Sequence, residues 1–310
     1  MEKVRALPEG GTIGLVAPSS PAPKEKLEQA EALLEARGYR VKRGESCNRA
    51  WGYLAGPDDL RADDLHRFFA DPEVDALFCV RGGDGATRLP GLLKADVFRA
   101  NPKILLGYSD ITVLHLFLHR EAGFCTFHGP MATTEFVKET WSGYVEDALF
   151  RALTSTEPLG EIVPYEGAPA YETLVGGTAE GELAGGCLSL VTALMGTPWE
   201  IDLAGKIFVF EDVYEEPYKI DRMLCQLRMA GKLDAVAGIV VGQIVDGEPK
   251  DATKSLSLRE VLESLLVPLG KPVLLNGPFG HGVKKTTLPL GARARLDAGA
   301  KSFWVDSGVR

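Results

Sequence analysis

No stretch of this 310-residue chain is long and uncharged enough to read as a membrane span. Its opening, Met1-Glu2-Lys3-Val4-Arg5, runs into a short apolar strand ending at Pro18, not into a secretory apolar core with a small-residue cleavage site. The expectation is a cytoplasmic protein with no membrane partner. Positive charge is in deficit: 34 Lys and Arg stand against 43 Asp and Glu, a formal net charge of -9. Nucleic-acid binders present a basic face, so nucleic acid is not an expected partner. Cysteine is sparse, and its five copies (Cys47, Cys79, Cys125, Cys187 and Cys225) are scattered singly and mostly in apolar runs. They neither match metal-ligand spacing nor form an even disulfide set, so reduced, buried thiols and no metal site are expected. Low-complexity tracts and internal repeats are missing too, which excludes disorder and solenoid architectures.

What is there is length enough for two domains and a large core. From Thr12 to about Phe127, apolar runs alternate with amphipathic stretches. The pattern predicts strands over Ile13 to Val16, Tyr39 to Lys42, Ala76 to Val80, Ile104 to Leu106 and Cys125 to Phe127. It predicts helices over Lys24 to Arg37, Leu60 to Phe69, Ala86 to Leu93 and Thr112 to Arg120. Repeated strand and helix units imply an α/β fold, a doubly wound parallel sheet that binds ligands at the carboxyl ends of its strands. After a helix near Gly143 to Leu153, the stretch Thr154 to Pro169 is rich in Pro and Gly and reads as a linker. The expected division is 1–155 for the doubly wound domain, 156–172 for the linker and 173–310 for an α+β domain with an antiparallel end.

Three loops follow predicted strands: Ala17-Pro18-Ser19-Ser20, Arg81-Gly82-Gly83-Asp84-Gly85 and Gly107-Tyr108-Ser109-Asp110. A serine on a glycine-permitted bend between strand and helix is where a nucleophile is thrust out of a sheet edge. The pattern G-x-S-x-G is broken by Ile111, and taken alone the segment reads as a helix cap. Two partners could complete it. Glu211 follows the apolar run Ile207-Phe208-Val209-Phe210, and His281 lies in the glycine-rich loop Gly277 to Gly282 after Val273-Leu274-Leu275. An imidazole can carry the serine proton to a leaving amine while a carboxylate fixes its tautomer. Glu211 and Asp212 could equally be an acidic pair at a helix entry, and His281 a surface turn residue. His128 is the rival base; His66, His115 and His119 fall on amphipathic helices and read as structural. The backbone amides of Gly83 and Asp84, with that of Asp110, could hold an oxyanion. The alternative is a plain turn, since the loop lacks both the P-loop Lys-Ser/Thr and the third glycine of a dinucleotide fingerprint.

These residues resemble a known family, the LD-carboxypeptidases of murein recycling and their relatives, the microcin C self-immunity proteins. The match runs through Val16-Ala17-Pro18-Ser19-Ser20, Arg61 to Ala70, Asp71-Pro72-Glu73-Val74-Asp75, Arg81-Gly82-Gly83 and Gly107-Tyr108-Ser109-Asp110. It continues through His128-Gly129-Pro130-Met131, Glu180-Gly181-Glu182-Leu183, Gly185-Gly186, Glu211-Asp212, Glu216-Pro217-Tyr218, Ile220 to Leu224, Gly280-His281-Gly282 and Leu288-Pro289-Leu290-Gly291. The resemblance implies a serine peptidase with Ser109 as nucleophile and Glu211 and His281 as its partners. It also implies an active site in the cleft between two domains, no cofactor, a homodimer, and a small peptide substrate that loses a terminal D-amino acid, D-Ala from a murein tetrapeptide. Two residues depart from the family pattern: Asp84 stands where tyrosine is usual, and Cys187 where asparagine is usual. Both bear on substrate choice, Asp84 only if its carboxylate faces inward. The sister activity, cleavage of peptidyl or aminoacyl nucleotide conjugates, would use the same triad with an aromatic ring to stack the base; Trp141 and Trp199 are the candidates. A non-catalytic module holding a small anionic ligand is the expectation from a different class.

Overall fold

The computed structural model describes residues 1–139, 141 and 143–310. Contacts divide the chain into two units. One comprises Met1–Glu157, Thr287–Gly291 and Ser307–Arg310; the other comprises Pro158–Thr286 and Ala292–Asp306.

In the first unit, strands β1 (Thr12–Val16), β2 (Arg40–Arg43), β3 (Ala76–Cys79), β4 (Ile104–Gly107) and β5 (Thr126–His128) alternate with helices α1 (Lys24–Ala36), α2 (Asp58–Ala70), α3 (Ala95–Ala100) and α4 (Thr112–Glu121); α5 (Tyr144–Thr154) follows. These five strands pair in parallel in the order β5-β4-β3-β1-β2. β1, β3 and β4 are buried at every residue, as near-continuous apolar runs covered on both faces must be. Strand order reverses between β1 and β3, so the loops after these two strands open on a topological switch point. The helix expected over Ala86 to Leu93 is instead two 3₁₀ turns, Ala86–Arg88 and Pro90–Leu92. Pro90 lacks the amide that an α-helix would need there. The short α3 was not anticipated.

The second unit holds β6 (Gly160–Glu161), β7 (Glu172–Val175), β8 (Thr178–Cys187), β9 (Ile207–Val213), β10 (Gly238–Val245) and β11 (Val273–Leu275), with α6 (Leu188–Ala193), α7 (Pro217–Met229) and α8 (Leu258–Leu266). Next along the chain come β12 (Leu288–Leu290), β13 (Arg293–Asp297) and β14 (Ser302–Val305). Strands β8, β9, β10 and β11 are parallel neighbours. β13, β14 and β6 extend the sheet antiparallel on one side, and β7 on the other. The expected antiparallel end is present, joined to a parallel centre. β12 leaves this unit and pairs antiparallel with β5 of the first. Residues 173–310 are therefore interrupted rather than continuous, and the Pro/Gly-rich stretch already contributes β6 to the second unit. Among the described residues, no helix is long and apolar enough to cross a membrane.

Candidate active site

In the first unit the elbow is built by glycine. Gly107 ends β4, and a Cβ there would stand 2.9 Å from Ile111 Cγ1, so only hydrogen lets the chain fold over its own first turn. Ser109 then takes φ 63°, a left-handed conformation that L-residues adopt at a cost. Its neighbour across the turn is Gly82: a Cβ on that residue would lie 3.0 Å from Ser109 Cβ, 3.3 Å from its Oγ and 3.4 Å from the Asp110 amide nitrogen. A side chain at position 82 would thus fill the space against the hydroxyl. The N-cap position of the 3₁₀ turn Ser109–Ile111 is held by Tyr108, whose side chain makes no capping hydrogen bond there.

The strand-end loops are tied together. Ser20 N donates to Gly82 O at 3.3 Å, and Asp84 N donates to Ser20 Oγ at 3.1 Å. To receive an oxyanion, the Asp84 amide would have to exchange its bond to Ser20. Among the described residues, no acceptor takes the amide protons of Gly83 or Asp110. The Asp110 carboxylate, buried, accepts from Ala86 N at 2.8 Å, and burial pushes its pKa up while the Ala86 hydrogen bond opposes the rise. Asp84 is exposed, so its carboxylate does not point into the protein.

Two further buried residues support these loops. Arg61 on α2, fully buried, donates through Nη1 to Pro18 O and to Gly85 O at 3.0 Å, and through Nη2 to Asp58. It clamps the loops after β1 and β3. Glu135, also buried, accepts from Tyr108 Oη at 2.9 Å and from Met131 N at 3.0 Å, fixing the residue before Ser109. Arg61 was legible in retrospect: it falls with Leu65 and Phe68 on the buried stripe of α2, where a charge needs a reason.

The histidines sort as their surroundings dictate. His115 Nε2 lies 2.9 Å from Gly107 O, and burial lowers its pKa to about 4, so it is a neutral donor to the end of β4. His66 Nε2 accepts from Lys94 N at 2.9 Å, and His119 Nε2 lies 2.9 Å from Thr126 Oγ1. All three are structural. His128, the rival base, is a buried β5 residue with its ring 5.8 Å from Tyr108 and 6.5 Å from His115.

In the second unit Glu211 and His281 meet. Glu211, with no exposed surface, sits near the end of β9; His281 Nδ1 is 2.6 Å from its Oε2. Gly280 makes the approach possible, since a Cβ there would stand 2.6 Å from Glu211 Cβ, at φ 110°. Gln243, unmarked in the sequence, holds the loop at both ends: Oε1 accepts from Gly282 N at 3.0 Å and Nε2 donates to Lys284 O at 3.0 Å. A bond from Nδ1 to the carboxylate fixes the imidazole tautomer and ring orientation. Asp212 has a different task. It accepts from Ser189 N at 2.7 Å and Val213 N at 2.8 Å, and burial raises its pKa to about 6. Cys187 pairs with Glu211 in the sheet register and packs against Asp212 and Ser189 at 3.5 Å and 3.2 Å. Burial pushes this thiol well above its usual range. Among the described residues, no three His, Cys, Asp or Glu side chains are grouped to hold a metal ion.

The chain is similar to known proteins. Residues 13–129 match the LD-carboxypeptidase N-terminal domain and residues 180–296 the LD-carboxypeptidase C-terminal domain. A probable murein peptide carboxypeptidase of Bacillus subtilis is 41% identical over 315 aligned residues, covering 99% of this chain and 95% of that protein. The crystal structure of a muramoyltetrapeptide carboxypeptidase from Oxalobacter formigenes superposes with a TM-score of 0.84 at 30% identity, over 95% of this chain and 98% of that one. A microcin C7 self immunity protein with adenosine monophosphate bound reaches a TM-score of 0.90 over 99% of both chains at 24% identity, a likeness of fold alone. The chain belongs to the LD-carboxypeptidase family.

Proposed function

We propose that this peptidase is a serine carboxypeptidase that releases D-alanine from the L-centre of a murein tetrapeptide through an acyl-enzyme on Ser109. The observation that carries the reading is the Glu211–His281 pair. A wholly buried carboxylate holds an imidazole at 2.6 Å, in a chain 41% identical over nearly its whole length to a murein peptide carboxypeptidase. His281 Nε2 takes the Ser109 hydroxyl proton as Oγ bonds to the substrate carbonyl carbon. The Gly83 and Asp110 amides receive the oxyanion. As the C–N bond breaks, His281 gives that proton to the departing amine of D-alanine. Water then attacks the ester, gives a proton to His281, and the Oγ–C bond breaks as Ser109 recovers its hydrogen. Glu211 fixes the imidazole tautomer and stabilises its cationic form. The same reading carries a cytoplasmic site of action and a homodimer.

Cleavage of aminoacyl or peptidyl nucleotide conjugates is the second reading, favoured by the fold of the adenosine monophosphate-bound self immunity protein. It needs an aromatic ring for the base. Trp141 is engaged elsewhere, packed on Phe136 with ring centroids 4.2 Å apart. The test offers the purified protein a tetrapeptide ending in L-Lys-D-Ala or meso-diaminopimelate-D-Ala beside an aminoacyl sulfamoyl adenylate. Release of D-alanine with the adenylate left intact supports the first reading; cleavage of the adenylate alone replaces it with the second. Binding of either without turnover makes the chain a ligand-holding module.

A further inference from the structure

The geometry points to Arg81 as the anchor for the free α-carboxylate of the residue that is released, the contact that would make this site select a chain end. The assignment rests on the carboxypeptidase reading. Arg81 directly precedes Gly82, the residue whose missing side chain makes room for Ser109 Cβ at 3.0 Å and Oγ at 3.3 Å. Its guanidinium folds over the same turn. Nη1 donates to Pro21 O at 3.3 Å, and Nη2 lies 3.8 Å from where a Cβ on Gly83 would stand.

This cation is incompletely matched. Arg43, Arg61, Arg67, Arg88 and Arg99 of the same unit each pair with a carboxylate, Glu31, Asp58, Asp64, Asp58 and Asp96 respectively. Arg81 is partly buried, yet among the described residues no carboxylate lies within ion-pair distance of it, and its enclosed Nε finds no acceptor. The nearby Asp84 is exposed and does not supply the missing charge. Removing a guanidinium from water without an opposing charge is unfavourable, so an anion delivered by another molecule would complete the site. A carboxypeptidase substrate offers that anion. The scissile carbonyl and the terminal carboxylate are one residue apart, about 3.8 Å between consecutive backbone units. The Arg81 guanidinium, beside Gly83 on the loop whose Gly82 adjoins Ser109, is placed on the same turn as the hydroxyl. The planar fork of arginine accepts a carboxylate through two parallel hydrogen bonds, which an amide terminus cannot reproduce.

The experiment measures kcat/KM on a tetrapeptide ending in L-Lys-D-Ala and on its C-terminal carboxamide, for the wild-type protein, Arg81→Met and Arg81→Lys. The wild type is expected to favour the acid by on the order of 10²- to 10³-fold, the worth of two charge-assisted hydrogen bonds. Arg81→Met should lose about that factor on the acid and little on the amide, so that the preference collapses; Arg81→Lys should keep a preference of roughly 10-fold. If Arg81→Met does not fold, as judged by thermal melting, Arg81→Lys carries the comparison. A variant that falls equally on both peptides, or keeps the wild-type preference, overturns the anchor while leaving the peptidase intact. A wild-type protein that cleaves neither peptide overturns the carboxypeptidase reading and the anchor with it.

Discussion

Glu211 Oε2 and His281 Nδ1 stand 2.6 Å apart, although 70 positions separate them along the chain. The carboxylate has no exposed surface, so this is not a solvent-screened surface ion pair, and in the proposed mechanism Glu211 orients the imidazole. Glu211→Gln keeps the shape but removes the charge and can present an N–H to Nδ1, favouring the wrong tautomer. We expect kcat to fall by about 10³- to 10⁴-fold with KM and the far-ultraviolet circular dichroism unchanged. Loss of less than 10-fold in steady-state kinetics would remove Glu211 from the mechanism.

Gly280→Ala tests the same contact through the backbone. The added carbon would lie 2.6 Å from Glu211 Cβ and 2.7 Å from its Oε2, at a residue with φ 110°. Both effects oppose the variant. It should lose roughly 1–3 kcal/mol of stability in urea unfolding, and at least about 10²-fold in kcat because His281 no longer meets the carboxylate. Unaltered turnover would show that the pair is not needed as built.

Ser109 makes the opposite prediction for stability. Its φ of 63° is unfavourable for a side chain but not for glycine. Ser109→Gly should therefore be inactive yet more stable than Ser109→Ala by about 1 kcal/mol, read from urea midpoints. Equal midpoints would mean that the elbow holds no backbone strain.

His115 links stability to acid. Burial lowers its pKa to about 4, whereas the unfolded chain titrates near 6.5. Between those values the unfolded state binds the proton that the folded state refuses. The stability from this group is thus fully present above about pH 6.5 and is lost as pH falls toward 4, by at most roughly 3 kcal/mol. Asp212, raised to about 6, works the other way, favouring the fold at acid pH and losing that contribution as pH rises through 6. His115→Gln removes only the first effect. Urea midpoints at pH 7 and pH 4 should show the variant gaining on the wild type upon acidification; a constant difference would place the titration elsewhere.

The doubly wound unit was legible because β1, β3 and β4 are apolar runs bounded by turn residues, a pattern that buried parallel strands impose. Ser109 and His281 stood out as candidates for related reasons: the first lies on a glycine-permitted bend between strand and helix, the second follows a strand in a loop too rich in glycine to be a packed helical face. The pairing of Leu288–Leu290 with β5 was not legible, since a three-residue run carries no information about its partner. Arg61, Glu135 and Gln243 escaped because their roles are made by distant backbone atoms, Pro18 O, Met131 N and Lys284 O among them. Local patterning records which face of an element is apolar, not which carbonyl waits across the turn. The bond from the Asp84 amide to Ser20 was hidden on similar grounds, because the two residues are far apart in sequence.

The central claim is that Ser109 is the nucleophile served by His281. Intact-mass and peptide mapping after incubation with a serine-directed phosphonate tests it most directly. The account predicts one adduct, on Ser109, absent from Ser109→Ala and formed about 10³-fold more slowly in His281→Ala. An adduct on another residue, or D-alanine release that survives in Ser109→Ala at the wild-type rate, would contradict it.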